Sequence, residues 1–158
     1  MNKRIFLIGI FIAAVLLVAA CSPQDNSMTG AAKDRPTNQL AVFKSPTCGC
    51  CGIYTQYAKK EGFDVTVNEL PDLSAIKEQY GIPASIQSCH TSVIGGYFVE
   101  GHVPTEAIDK LLAEQPDIAG IAMPGMPSGS PGMPGKKTGT WIVYAIGHDG
   151  SISEFTRY

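Results

Sequence analysis

The chain has 158 residues, with 12 Lys and Arg against 14 Asp and Glu for a net charge of −2, so neither a nucleic-acid surface nor a strongly acidic partner is expected. That length, less an export signal, allows one compact domain with a real core. Five cysteines and three histidines leave thiol and metal chemistry as the open class of function.

At the amino terminus, Lys3 and Arg4 precede an apolar run from Ile5 to Ala20. This is the basic-then-apolar order of a secretory signal, and it is too short for a comfortable membrane span. The run ends in Leu17-Val18-Ala19-Ala20-Cys21, which resembles the lipobox of bacterial lipoproteins, where cleavage leaves a diacylated cysteine as the first mature residue. Residues 1–20 are therefore expected to be a lipoprotein signal peptide. Residues 21–39 are polar and small without periodicity, a flexible tether from lipidated Cys21, and residues 40–158 form the folded domain. A plain secretory signal is the alternative. Ser22 resembles the residue that follows the cysteine in lipoproteins sent to the outer membrane, so the expected location is the periplasm, lipid-anchored at that membrane. There, unprotected neighbouring thiols are oxidised.

Leu40 to Lys44 reads as a strand, and Ser45-Pro46-Thr47 turns out of it into Cys48-Gly49-Cys50-Cys51. Ile53, Tyr54, Tyr57 and Ala58 recur at helical spacing to Lys60, with Gly62 placed to end the helix. Asp64 to Asn68 alternates as a second strand. Asp72 is a good N-cap for a helix carrying Leu73, Ile76 and Tyr80 and closed by Gly81. Thr91 to Ile94 and Tyr97 to Val99 form a hairpin through Gly95-Gly96. Pro104 opens a third helix with Ala107, Ile108, Leu111 and Leu112 inward, and Pro116 stops it. The stretch from Met123 to Gly135 holds too much Pro and Gly for helix or central strand and is expected to be a loop. Trp141 to Ile146 and Ser151 to Tyr158 close the chain as a hairpin around His148-Asp149-Gly150. The expected class is α/β. Its element order is similar to a thioredoxin-like domain with a C-terminal β-hairpin extension, a C-x-x-C lying between the first strand and first helix.

Cys48, Cys50, Cys51 and Cys89 admit three readings. Structural disulfides are disfavoured, because adjacent cysteines bond poorly and a bridge needs Cα atoms within about 7 Å. Thiol–disulfide chemistry is supported by a C-x-x-C at a helix start, where the dipole favours the thiolate, but it needs neither Cys50 nor Cys89. A metal site is the third reading, since four thiolates select Cu(I), Zn(II) or an iron–sulfur cluster. On an ideal helix Cys50 lies about 160° from Cys48, so one tetrahedral ion struggles to collect every sulfur unless the motif bends before the helix begins. Bridging thiolates around several Cu(I) ions relax that demand, and zinc favours wider-spaced pairs. Copper is the better fit. His90 and His102 are further candidate ligands or supporting donors. Met123, Met126 and Met133 have no regular face to fill in their loop, and thioethers are soft Cu(I) ligands. They either contribute to copper binding or entry, or cover the site.

Cys48-Gly49-Cys50-Cys51, Ser88-Cys89-His90-Thr91, Gly96 to Pro104 and the Met-Pro-Gly repeats from Met123 to Met133, in that order, resemble the CGCC-motif family. Its members are small exported bacterial proteins found with copper-resistance systems, long described as a domain of unknown function. The resemblance covers Leu40 to the carboxyl terminus. It implies a thioredoxin-like fold whose four cysteines, here Cys48, Cys50, Cys51 and Cys89, bridge a polynuclear copper cluster. It also implies a part in periplasmic copper redox and detoxification. Copper cycling between Cu(I) and Cu(II) is the activity expected here, with a periplasmic copper-export or redox partner. Family members often carry tryptophan where this chain has Tyr54. The expected function is copper binding in resistance or homeostasis, whether as a copper oxidoreductase or as a non-catalytic chaperone or buffer. A thioredoxin-like thiol–disulfide oxidoreductase is the alternative.

Overall fold

The computed structural model describes residues 38–158. The expected signal peptide, the expected lipidation site Cys21 and the expected tether up to residue 37 lie outside the described residues. Strand β1 (Gln39–Lys44) leads into helix α1 (Gly49–Lys60), then β2 (Asp64–Glu69) and the short α2 (Ser74–Gln79). A 3-10 turn over Ala84–Ile86 precedes β3 (His90–Ile94) and β4 (Tyr97–Gly101), and α3 (Thr105–Glu114) follows. Strands β5 (Gly120–Met123), β6 (Ile142–Ile146) and β7 (Ile152–Arg157) complete the chain.

All seven strands form one mixed sheet in the order β2-β1-β3-β4-β5-β6-β7. β1 runs parallel to β2 and antiparallel to β3, β3 is antiparallel to β4, and β4 is parallel to β5 across the α3 crossover. β6 pairs antiparallel with β5 and with β7, so the expected terminal hairpin continues the same sheet. Two apolar clusters form. Leu40, Val42, Val99, Ile121 and Val143 pack with Ala58 of α1 and Ala107, Ile108 and Leu111 of α3. Phe98, Ala122 and Ile146 pack with Ile82 and Ile86. Neighbours along one strand, Phe98 and Val99 or Ile121 and Ala122, fall in different clusters, so the clusters occupy opposite faces of the pleat.

Most local signals hold. Gly95 and Gly96 both take positive φ, 56° and 91°, the backbone that a two-residue hairpin with right-handed twist demands. Asp72 accepts the Ser74 N–H at 2.9 Å and its hydroxyl at 2.8 Å, but α2 starts one residue later than expected and Leu73, not Asp72, is its N-cap. Pro104 sits at the N-cap of α3 rather than in its first turn. Strand β5 is the main departure. Its four residues are all buried between β4 and β6, so pairing on both edges makes a strand of an apolar run too short to declare itself. Met123 closes that strand at 1% exposure and belongs to the core. The expectation that it sits in a loop with no face to fill is therefore corrected.

Candidate metal centre

The site forms where β1 gives way to α1. The Cys48 N–H bonds the Ser45 carbonyl at 3.1 Å, closing the Ser-Pro-Thr turn, and Cys48 itself is extended (φ −77°, ψ 98°) before the helix begins at Gly49. The bend removes the angular objection. Instead of pointing away from each other, the Cys48 and Cys50 sulfurs approach to 3.6 Å. Cys48 and Cys51 are joined as a disulfide, while Cys50 and Cys89 are free and half-buried. Cys51 is fully buried, with its sulfur 3.7 Å from the Cys89 carbonyl. The loop entering β3 thus faces the motif, and the four sulfurs all lie within 4.8 Å of one another.

A second set overlaps the first through Cys89, whose sulfur lies 3.1 Å from His102 Nε2 and 3.5 Å from His90 Nδ1. Both imidazoles are fully buried. Burial drives His90 down to about 3, with the neighbouring His102 and Lys77 adding to the effect, so this ring is neutral at neutral pH. Burial also lowers His102, opposed by the Pro131 carbonyl. That carbonyl lies 2.6 Å from His102 Nδ1. A carbonyl can only accept, so Nδ1 carries the proton and the Nε2 lone pair faces Cys89. A residue of the Pro-Gly loop therefore sets the tautomer of a candidate ligand. His90 Nε2 is buried without a partner. Burial pushes the Cys89 thiol up to about 11, helped by its neighbour Cys50.

Tyr54 backs the two rings, its centroid 4.5 Å from His90 and 5.7 Å from His102, with its hydroxyl donating to the Val103 carbonyl at 3.0 Å. Fully buried, it shuts water out of the inner side of the site.

The methionines separate. Met133 lines a cleft of about 470 Å³ with Gly49, Cys50, Ile53, Gly132 and Pro134. Met126 is 43% exposed, and Met123 packs in the core. Of the candidate residues, the structure thus gathers the four cysteines, His90 and His102, sets Met133 in the cleft beside Cys50, and leaves Met126 and Met123 outside the sulfur group.

Glu100 and Lys77, which the sequence reading passed over, form a buried ion pair behind Cys89. Their signal was present. Glu100 falls in the inward register of the Tyr97-Phe98-Val99 run, and charged residues are almost never fully buried unless paired.

The solved structure of a protein named copper resistance protein CopG, form 1, is 41% identical and superposes with a TM-score of 0.72, covering 78% of this chain and 98% of that one. The chain belongs to the CopG family. Form 2 of the same protein gives 42% identity and a TM-score of 0.71, covering 76% and 97%. A family model described as a protein of unknown function, DUF411, matches residues 86–133. That stretch holds Cys89, His90, His102 and the Met-Pro-Gly loop, the half of the centre outside the CGCC motif. No curated protein matches. In CopG-family terms, four soft sulfurs with two neutral imidazoles beside them fit a soft or borderline ion: the donor set suits Cu(I) best and Zn(II) less well.

Proposed function

We propose that this protein binds several copper ions through Cys48, Cys50, Cys51 and Cys89 in copper resistance or homeostasis, and passes copper between Cu(I) and Cu(II). The observation that carries the reading is the convergence of four sulfurs with His102 Nε2 turned toward Cys89, in a chain whose solved relative is named a copper resistance protein. Four sulfurs, two imidazoles and the Met133 thioether exceed what one four-coordinate ion can use, which favours more than one copper. Bound copper would supply the electron given up or taken in the redox step. The protein's residues hold it, exclude water on the Tyr54 side and leave the Cys50 side open. A core whose first four strands run β2-β1-β3-β4, with the CGCC motif between β1 and α1, supports the thioredoxin-like assignment. The signal and Cys21 support export and a lipid anchor at the outer membrane, with a copper-export or redox partner in the periplasm.

The deciding experiment is copper per chain in the reduced protein. Cys89→Ser is expected to bind fewer Cu(I) ions than the native chain, and equal stoichiometry would remove Cys89 from the site. Proton release supplies a second check. With its thiol pushed up to about 11, Cys89 is protonated at neutral pH, so copper must displace that proton. Cu(I) affinity should therefore tighten as pH rises, by about tenfold per unit for this one proton, until pH approaches the thiol's own value. Competition against a Cu(I) chelator from pH 6 to 8 measures the slope, which should be shallower by about one in Cys89→Ser.

A second reading rests on the Cys48–Cys51 disulfide at the α1 amino terminus: a thiol–disulfide oxidoreductase. It predicts metal-independent reduction of insulin that Cys48→Ser abolishes. A chaperone or buffer would bind Cu(I) tightly without altering its oxidation rate.

A further inference from the structure

Behind the sulfur cluster lies a buried polar group with no part in holding a metal. Glu100 of β4 is fully buried. Its Oε1 accepts from the Lys77 ammonium of α2 and from the Ser88 backbone N–H at 2.5 Å, and its Oε2 accepts from the Thr91 hydroxyl at 2.7 Å. Lys77, 7% exposed, also donates to the Thr91 hydroxyl oxygen at 3.1 Å. Taking two charges out of water is costly, and a well-packed apolar pair is often as stable or more so. Stability alone does not account for the pair.

Its geometry does. Ser88 and Thr91 bracket Cys89-His90, so one carboxylate grips both ends of the dipeptide that carries two of the candidate donors. A second restraint acts from β4. A Cβ on Gly101 would sit 2.9 Å from the Ser88 Cβ and 2.7 Å from the Met123 carbonyl, so the strand lies against Ser88 in a gap that only glycine fits.

We propose that Glu100, with Lys77 as its neutralising partner, is a positioning residue for the metal centre, fixing Cys89 and the His90 ring against Cys50 and Cys51 before copper arrives. The inference rests on the copper-binding reading above. A ligand held by packing and hydrogen bonds in its bound arrangement loses less freedom on binding. The Cys89 side of the site is thus made ready by a carboxylate that touches no sulfur.

The test compares two charge-free variants of the reduced full chain, so that neither strands a buried ion. Glu100→Ala with Lys77→Met removes the acceptor. Glu100→Gln with Lys77→Met keeps an amide that can accept from Ser88 and donate to Thr91. Before copper is added, alkylation of Cys89 is measured against Cys50 by mass spectrometry. The Ala variant is expected to raise the Cys89 rate about tenfold, since two hydrogen bonds to a charged group are lost, and the Gln variant to restore it. After Cu(I) loading, the near-ultraviolet thiolate-to-copper bands of the Ala variant should shift toward those of Cys89→Ser while the Gln variant keeps the native bands. Native alkylation and native bands in an Ala variant that merely melts earlier would overturn the proposal. Should that variant fail to fold, Thr91→Val removes only the hydroxyl's two bonds, to Glu100 and from Lys77, and leaves the ion pair and the Ser88 bond in place. Severalfold faster Cys89 alkylation is then expected, and no change overturns the proposal. If the reduced native chain takes up no copper, the copper reading falls, while the alkylation rates still decide whether Glu100 positions Cys89.

Discussion

The oxidised chain is expected to take up less than half the Cu(I) that the reduced chain binds, and a thiol reductant should restore the rest. With Cys48 and Cys51 joined, only Cys50 and Cys89 remain as thiols among the described residues. The thiolate is the ligand, and a disulfide sulfur carries no charge to bridge metal ions. Two electrons and their accompanying protons must therefore enter the Cys48–Cys51 pair before the four-sulfur set exists. The pair is placed for exchange: Cys51 is buried, but the Cys50 sulfur lies 3.6 Å from that of Cys48. A Cys50 thiolate can attack Cys48, form a Cys48–Cys50 bond and release Cys51 as a thiolate, with no net oxidation. Copper per chain and free thiols per chain, measured on the same sample with and without reductant, give the answer. Four thiols masked by copper in the reduced chain and two in the oxidised chain is the expected result. Equal loading in both states would mean that Cys50, Cys89 and the imidazoles hold the copper alone. A reversible two-thiol cycle indifferent to copper would favour the oxidoreductase reading.

Gly132→Ala should loosen the centre from its open side without touching a ligand. Gly132 has φ +81°, and a Cβ there would lie 2.8 Å from both the Cys50 carbonyl and the Tyr54 amide nitrogen, backbone atoms of α1 that cannot rotate away. The loop must lift. Its neighbour on one side, Pro131, then loses the His102 Nδ1–H bond, and its neighbour on the other, Met133, leaves the cleft beside Cys50. Overpacking costs about 1–3 kcal/mol and left-handed backbone on a non-glycine residue about 1 kcal/mol more. Gly125→Ala is the control, because Gly125 has φ +82° with nothing within 4 Å of its added Cβ. It pays the backbone cost alone. The difference in melting between the two variants isolates the loop's contact with α1, and Cu(I) release to a chelator should be severalfold faster in Gly132→Ala only. If His102 lost its Pro131 acceptor without consequence, the two variants would release copper at the same rate.

The centre was legible because its cysteines are costly residues with no packing reason to crowd. Three thiols in four residues at a strand-to-helix junction, and a fourth beside a histidine, name a site before any fold is known. Its angles were less legible. An ideal helix would set Cys50 opposite Cys48, but the extended backbone at Cys48 brings their sulfurs together instead. The loop methionines divide for a related reason. Composition made Met123, Met126 and Met133 equivalent, but β5 claims Met123 for the core once β4 and β6 pair on either side of it.

By itself the sequence determined the elements whose signals are local: the helix periods, the Gly95-Gly96 turn, the Pro-Gly loop and the thiols and imidazoles at their junctions. Each depends on neighbours within a few residues, which a single chain displays openly. The tertiary structure alone decided β5, the single sheet that takes in the terminal hairpin, the His102 tautomer set by Pro131 and the Glu100 clamp on Ser88 and Thr91. These depend on groups that lie far apart along the chain and meet only after the sheet has formed. The Pro131 carbonyl and the Ser88 amide could be supplied by any residue type, so nothing in the side-chain sequence marks those two contacts.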